Sequence, residues 1–246
     1  MNDHAEATRI AEAAGHLLLE LRAVLSANGV VDAPALRTRG DQESHELIMA
    51  ELRAAFPADA VLSEEGKDDP ARLGARRVWV VDPLDGTREF GEVDRTDWAV
   101  HVALVEDGTL AAGAVALPSL GLTLGTSPPP AAPPPMPARP RLVVSRTRPP
   151  AVTETLRAAL DGELVAMGSA GAKAMAVVLG QADVYAHAGG QYEWDSAAPV
   201  AVAVAAGLHV SRLDGSPLVY NQPDPYLPDV LICRPELAAK VIAAAR

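Results

Sequence analysis

The sequence predicts an α/β protein whose two halves are built differently. Three observations carry this. Apolar residues recur at helical spacing from Ala5 to Phe56, short apolar runs with turn signals follow as far as Gly125, and beyond a proline-rich stretch strand-like and helix-like segments alternate. The first half, 1–137, reads as α+β and the second, 138–246, as α/β.

The elements follow in order. Ile10, Ala14, Leu17, Leu18, Leu21 and Leu25 form one face of a helix over Ala5 to Ser26. A second helix is expected after Asp41, with Leu47, Ile48, Leu52, Ala55 and Phe56 on one side and Pro57 closing it. Strands are expected at Arg77 to Val81, Trp98 to Val105, Leu110 to Leu117 and Gly121 to Gly125, with Asp107-Gly108 as a turn, making a mostly antiparallel sheet. From Pro128 to Pro140 eight of thirteen residues are proline, which favours an extended segment at a boundary or on the surface. The second half alternates strand Arg141 to Val144, helix Ala151 to Leu160, strand Glu163 to Met167, helix Gly171 to Leu179, strand Ala182 to Ala186 and helix Ser196 to Ala206. Strands near Leu208 and Val230 and a helix over Pro235 to Ala245 complete it.

Composition narrows the function. The longest nearly apolar run, Ala197 to Val210, is too short to span a bilayer, so no membrane helix is expected. The N-terminal MNDHAEATR has no basic start and apolar core of a secretion signal. A single cysteine, Cys233, permits no internal disulfide and suits a reducing cytoplasm. The formal charge of -11 disfavours nucleic-acid polymers and anionic membranes as partners. It would also repel a phosphorylated substrate unless bound divalent metals reversed the local field.

Three acidic sites stand where an expected element ends: Glu64-Glu65 in VLSEEG, Asp82 and Asp85 in VDPLDGTREF, and Asp195 in YEWDSAAP. Pro83 fixes the backbone after the strand VWVV and is expected to turn the chain, bringing the Asp82 and Asp85 carboxylates and the Leu84 carbonyl to one side. Hard cations such as Mg²⁺ take such oxygens. Gly86 allows close approach, the amides of Gly86 and Thr87 could face an anion, and the Thr87 hydroxyl could orient a water. The alternative is an Asp/Gly turn whose carboxylates bond only their own backbone. Asp195 is a helix cap or a ligand, and Asp41, before the helix expected from Gln42, is likewise a cap or a residue near a metal. The apolar lead-in Ala60, Val61, Leu62 aims at least one of Glu64 and Glu65 inward.

SEE, DPLDGT and WDSAAP, in that order, resemble the inositol monophosphatase superfamily of Mg²⁺-dependent, lithium-sensitive phosphatases. DPLDGTREF with GSAGAK and VVSRTRPP resembles its CysQ branch, the 3'(2'),5'-bisphosphate nucleotidases. The resemblance implies a layered αβαβα fold, often a homodimer, and two or three Mg²⁺ ions on Glu64, Asp82, Asp85, Asp195 and the Leu84 carbonyl. It further implies that Glu64 and Thr87 position the water, that Asp41 lies near an additional metal, and that the Gly86 and Thr87 amides hold the phosphate. Ser145, Arg146, Gly168, Ser169 and Lys173 would face the nucleotide. The stretch His187 to Glu193 departs from the patterns of both the inositol and the enteric CysQ enzymes, which leaves substrate choice open.

The expected activity is hydrolysis of the 3'-phosphate of 3'-phosphoadenosine 5'-phosphate, with inositol monophosphate or fructose 1,6-bisphosphate as alternative substrates. A haloacid-dehalogenase-type phosphatase also carries D-G-T, but its two aspartates are separated by one residue and the first is phosphorylated. The wider spacing of Asp82 and Asp85 favours direct attack by water. A regulator without catalysis is disfavoured because every expected ligand is present.

Overall fold

The computed structural model describes residues 2–26 and 32–246. Helices α1 (Asp3–Ser26) and α2 (Ala33–Ala55) precede strand β1 (Ala60–Ser63). Helix α2 starts well before the expected Gln42. Asp32 caps it by accepting from the Ala35 amide at 3.1 Å, and Pro34 occupies its first turn. Asp41 is therefore interior to a helix, and its reading as a cap is corrected. The helix passes through Gly40 because a Cβ there would stand 2.7 Å from Phe90 and 2.8 Å from Leu84, so glycine is required by close packing.

Strand β2 (Arg77–Asp85) leads into the short helix α3 (Thr87–Phe90), and β3 (Ala99–Glu106), β4 (Thr109–Leu117) and β5 (Leu122–Gly125) follow. These strands form one sheet in the order β1-β2-β3-β4-β5, with β1 parallel to β2 and the rest antiparallel. The continuous apolar run of β2 is explained by burial on both faces. Trp79 and Val81 pack on α1 and α2, while Val78 and Val80 join the opposite core.

The proline-rich segment has no regular secondary structure, and the Pro134 carbonyl accepts from Arg234 at 2.7 Å. After it come β6 (Arg141–Ser145), α4 (Thr153–Leu160), β7 (Glu163–Met167), α5 (Ala170–Val178) and β8 (Val184–Tyr192). The chain ends in α6 (Glu193–Ala205), β9 (His209–Ser211), β10 (Tyr226–Cys233) and α7 (Pro235–Ala245). The second sheet is ordered β7-β6-β8-β10-β9, parallel among its first three strands.

Three apolar clusters define the layers. One joins α1 and α2 to the first sheet, one joins both sheets through α5 and α6, and one joins the second sheet to α4 and α7. The result is the αβαβα sandwich. Its central helices explain why α5 and α6 are nearly all apolar: a helix between two sheets has no solvent face.

Two further expectations are corrected. The strand expected to end at Ala186 does not end there, because β8 continues to Tyr192 against β10, with an extra residue on β8 accommodated around Gly189 and Gly190, both at positive φ. Helix α6 begins at Glu193, so Asp195 stands inside its first turn instead of before it.

Candidate active site

Pro83 bulges β2 without ending it. Asp82 pairs with His101 and Asp85 with Ala99, so three steps on β2 oppose two on β3. A proline is tolerated where the ladder is already interrupted. The bulge is fixed from two sides: the Ser44 hydroxyl of α2 donates to the Pro83 carbonyl at 2.7 Å, and the Leu84 amide donates to Asp82 Oδ1 at 3.0 Å. The expected turn is thus a strand bulge. It still places Asp82 and Asp85 side by side, because the extra residue shifts the facing of the side chains after it.

Asp85 docks on the start of α5. Its carboxylate accepts from the Ala170 amide at 3.0 Å, the Gly171 amide at 2.6 Å and the Ser169 hydroxyl. Ser169 is consequently engaged on both sides, since its oxygen also accepts from the Ala172 amide at 2.9 Å. His101, which the sequence reading did not single out, completes this arrangement. It is fully buried, its Nε2 lies 3.3 Å from Asp85 Oδ2, and its Nδ1 donates to the Trp194 carbonyl at 3.0 Å, directly before Asp195. The available signal was a lone histidine in the otherwise apolar run Val100 to Val105 of a strand buried on both faces.

Asp195 is held in the first turn of α6, where its Oδ2 accepts from the Tyr192 amide at 2.7 Å. Donor atoms of Asp82, Asp85 and Asp195 all lie within 4.8 Å of one another. Glu64 follows β1 at an exposed rim, near enough to Asp82 for the two carboxyls to shift one another. The Thr87 hydroxyl lies 3.2 Å from Asp41 Oδ1 and 3.1 Å from the Leu84 carbonyl, so Asp41 reaches the site from inside α2.

The electrostatics are those of a crowded acid cluster. Burial, then Glu64, Asp85 and Asp195, push the Asp82 carboxyl well above the ordinary range. Burial followed by Asp195 raises Glu64 to about 7, burial followed by Asp85 raises Asp195 to about 7, and burial followed by Glu65 raises Asp41 to about 7. Asp85 is the exception. Burial pushes it up, but His101, Lys173 and Ser169 outweigh that and hold it below the ordinary range. Burial lowers His101, and Asp85 with the Trp194 carbonyl overcomes this to raise it. Hard oxygens at this spacing, short of positive charge at neutral pH, fit a divalent cation, and Asp82, Asp85 and Asp195 could hold one.

A cavity of about 550 Å³ opens beside Asp85 and Asp195. Gly86, Thr87, Ser145, Gly168, Ser169 and Lys173 also line it. Lys173 is almost fully buried, with Nζ on the Gly168 and Ser169 carbonyls and 5.4 Å above the Tyr185 ring, so it braces the loop that carries Ser169. Arg146 is not part of the lining. Its guanidinium binds Glu89 at 2.8 Å and Glu92 at 2.7 Å. Beneath this pair, a Cβ on Gly168 would lie 2.3 Å from the Glu89 side chain, which accounts for glycine there.

The sequence model of the inositol monophosphatase family matches residues 3–128 and 138–246. The chain belongs to this family. Within it, the chain is 50% identical to the 3'-phosphoadenosine 5'-phosphate phosphatase of Mycobacterium leprae (strain TN), covering 100% of this chain and 94% of that protein. It is 35% identical to the 3'(2'),5'-bisphosphate nucleotidase CysQ of Escherichia coli (strain K12), over 77% of this chain and 81% of that one. Among solved structures, CysQ from Bacteroides thetaiotaomicron superposes with a TM-score of 0.78 at 28% identity, over 94% of this chain and 97% of that chain. Inositol monophosphatase II from Staphylococcus aureus MSSA476 superposes at 0.81 over 97% and 93%, and at 22% identity that likeness concerns the fold of this family member alone.

Proposed function

We propose that this family member removes the 3'-phosphate of 3'-phosphoadenosine 5'-phosphate, giving adenosine 5'-phosphate and inorganic phosphate. The observation that carries the reading is the convergence of Asp82, Asp85 and Asp195 within 4.8 Å beside a cavity large enough for a nucleotide. The choice of substrate rests on the 50% identity to the M. leprae enzyme of that name.

In this reading the phosphate lies over the Gly86 and Thr87 amides. The Thr87 hydroxyl, oriented by Asp41 and the Leu84 carbonyl, keeps lone pairs to accept a hydrogen from the attacking water. Glu64 accepts the other. The water oxygen bonds to phosphorus, the bond from phosphorus to the ribose 3'-oxygen breaks, and that oxygen leaves as the 3'-hydroxyl by taking a proton from solvent, to which Glu64 releases its own. Two or three Mg²⁺ ions on Glu64, Asp82, Asp85, Asp195 and the Leu84 carbonyl would neutralise the acids, polarise the phosphoryl oxygens and stabilise the leaving oxygen. A cytoplasmic setting fits the single buried Cys233, and a homodimer is inferred from the family resemblance.

The test is phosphate release with Mg²⁺ from 3'-phosphoadenosine 5'-phosphate, inositol 1-phosphate and fructose 1,6-bisphosphate in parallel, with the nucleotide product assigned by phosphorus NMR. The expected result is preferential turnover of the nucleotide to adenosine 5'-phosphate. Faster turnover of inositol phosphate, or release of the 5'-phosphate, overturns the reading.

A further inference from the structure

Arg72 follows the SEE motif, in a short 3₁₀ helix over Pro70–Gly74 that Asp69 caps by accepting from the Ala71 amide at 2.9 Å. Its side chain is 1% exposed although it carries a permanent charge. A group of this kind must have its donors met inside the protein. Nε and Nη2 donate to the two carboxylate oxygens of Asp68, which lies between Glu64 and the helix, at 2.7 and 3.1 Å. The rest of the fork reaches a distant part of the chain. Nη1 donates to Asn221 Oδ1 at 2.7 Å, Nη2 also donates to the Gln222 carbonyl at 2.9 Å, and Asn221 Nδ2 donates back to the Arg72 carbonyl at 3.2 Å.

The same two residues are held from the other side by α6. The Asn221 and Gln222 amides donate to the two oxygens of Glu193 at 2.6 and 2.7 Å, and Glu193 is as buried as Arg72. Asn221 has a positive φ of 59°, which asparagine tolerates, and its amide and side chain serve different partners. Glu193 opens α6 and shares its first turn with Asp195. Hydrogen bonds therefore run without a break from the segment after Glu64, through Arg72 and the residues 221–222, to the turn that carries Asp195. Charge balance alone would be met by Asp68, and the bonds to Asn221 and Gln222 add direction. On its other side Glu64 is pinned by its amide to the Val81 carbonyl at 3.3 Å, next to Asp82.

We propose that Arg72 is a positioning residue for the metal site, locking the turn that bears Glu64 to the first turn of α6 and so fixing Glu64 relative to Asp195. The lock acts on Glu64 and Asp195 as ligands of shared cations, as in the function proposed above. None of Arg72, Asn221, Gln222 and Glu193 lines the cavity, so their effect on the nucleotide passes through the metals.

Arg72→Met, Arg72→Lys and Asn221→Gly are compared with the parent by calorimetric Mn²⁺ binding, thermal unfolding without metal, and phosphate release over a range of Mg²⁺. Groups that orient metal ligands typically cost about 10- to 100-fold when removed, and Arg72, acting through others, is placed at the lower end. Arg72→Met is expected to weaken Mn²⁺ binding about tenfold and to raise the Mg²⁺ concentration for half-maximal activity alike, with KM for the nucleotide at saturating Mg²⁺ changed by less than about twofold. Arg72→Lys keeps a charge beside Asp68 but not the fork, and is expected to recover more of the thermal midpoint than of the Mn²⁺ affinity. Asn221→Gly keeps the positive φ and leaves Arg72 on Asp68, and is expected to weaken Mn²⁺ binding by a smaller factor; it also decides the matter where Arg72→Met does not fold. Arg212→Met, which removes an equally bidentate pair with Asp229 outside the site, controls for lost stability. Mn²⁺ affinity unchanged in Arg72→Met and Asn221→Gly, or lowered as much by Arg212→Met, overturns the lock. A parent that binds Mn²⁺ but leaves 3'-phosphoadenosine 5'-phosphate intact overturns the nucleotidase reading instead, and weaker Mn²⁺ binding in the variants then still upholds the lock.

Discussion

His101 Nε2 stands 3.3 Å from Asp85 Oδ2, and the same ring donates to the Trp194 carbonyl at 3.0 Å. One buried side chain on β3 therefore ties the bulge of β2 to the first turn of α6, where Asp195 lies. Groups that orient metal ligands typically cost about 10- to 100-fold in metal affinity or activity when removed. His101→Ala is expected to raise the Mg²⁺ concentration for half-maximal activity by that factor and to weaken calorimetric Mn²⁺ binding, with His101→Asn recovering part of both. Unchanged metal binding in the Ala variant would remove His101 from this role.

Asp82→Asn separates stability from activity. The Asp82 carboxyl is buried and raised by Glu64, Asp85 and Asp195, so a neutral amide of the same shape relieves repulsion in the metal-free protein. Its thermal midpoint without metal should equal or exceed that of the parent, and the stabilisation by Mg²⁺ should shrink. Activity should fall by more than the roughly 100-fold typical of outer-shell changes. Differential scanning fluorimetry with and without Mg²⁺, beside a phosphate-release assay, measures both, and retained activity would sink the assignment of Asp82 as a ligand.

Gly171→Ala tests the packing against His101. Alanine is favoured over glycine in a helix by about 1 kcal/mol. Here the added Cβ would stand 2.0 Å from His101 Nε2, which has no room to retreat in the core. Overpacking costs about 1–3 kcal/mol, so the clash is expected to win and urea unfolding should show a net loss. A stabilised variant would mean that His101 moves freely.

Asp183 predicts a pH effect. Its buried carboxylate accepts from Arg141 Nε at 3.0 Å and Arg234 Nε at 2.6 Å. Burial pushes its pKa up, but those hydrogen bonds prevail and leave it below the ordinary aspartate value. A depressed folded pKa contributes stability that is present above the unfolded value, about 3.9, and lost as pH falls through the folded one. Asp183→Asn should cost about 3 kcal/mol at pH 7 by leaving buried Arg234 without its counter-charge, and should flatten the decline in stability below about pH 4. Urea titrations from pH 3 to 7 measure the slope, and parallel curves for the two proteins would refute the linkage.

The division between what local reading captures and what it misses follows sequence distance. Helix α7 and strands β4 and β7 were legible nearly to the residue, because their periodicity and turn residues are contained within each segment. The start of α2 was missed because Asp41 looks like a cap, while the real cap, Asp32, precedes a helix whose passage through Gly40 depends on Phe90. Arg146 and Arg148 are alike in sequence, and only Glu89 and Glu92, brought in by α3, distinguish them.

The sequence by itself determined the α/β class and the acids that could hold a cation, because strand and helix periods and the DPLDGT spacing are short-range, while the layered arrangement was implied only by the family resemblance that SEE, DPLDGT and WDSAAP carry. Tertiary structure alone decided that Asp85 caps α5, that His101 joins it to α6, and that Arg88 and Arg148 line the same cavity. Those relations join residues far apart in the chain, and they exist only once two sheets have closed around the same pair of helices.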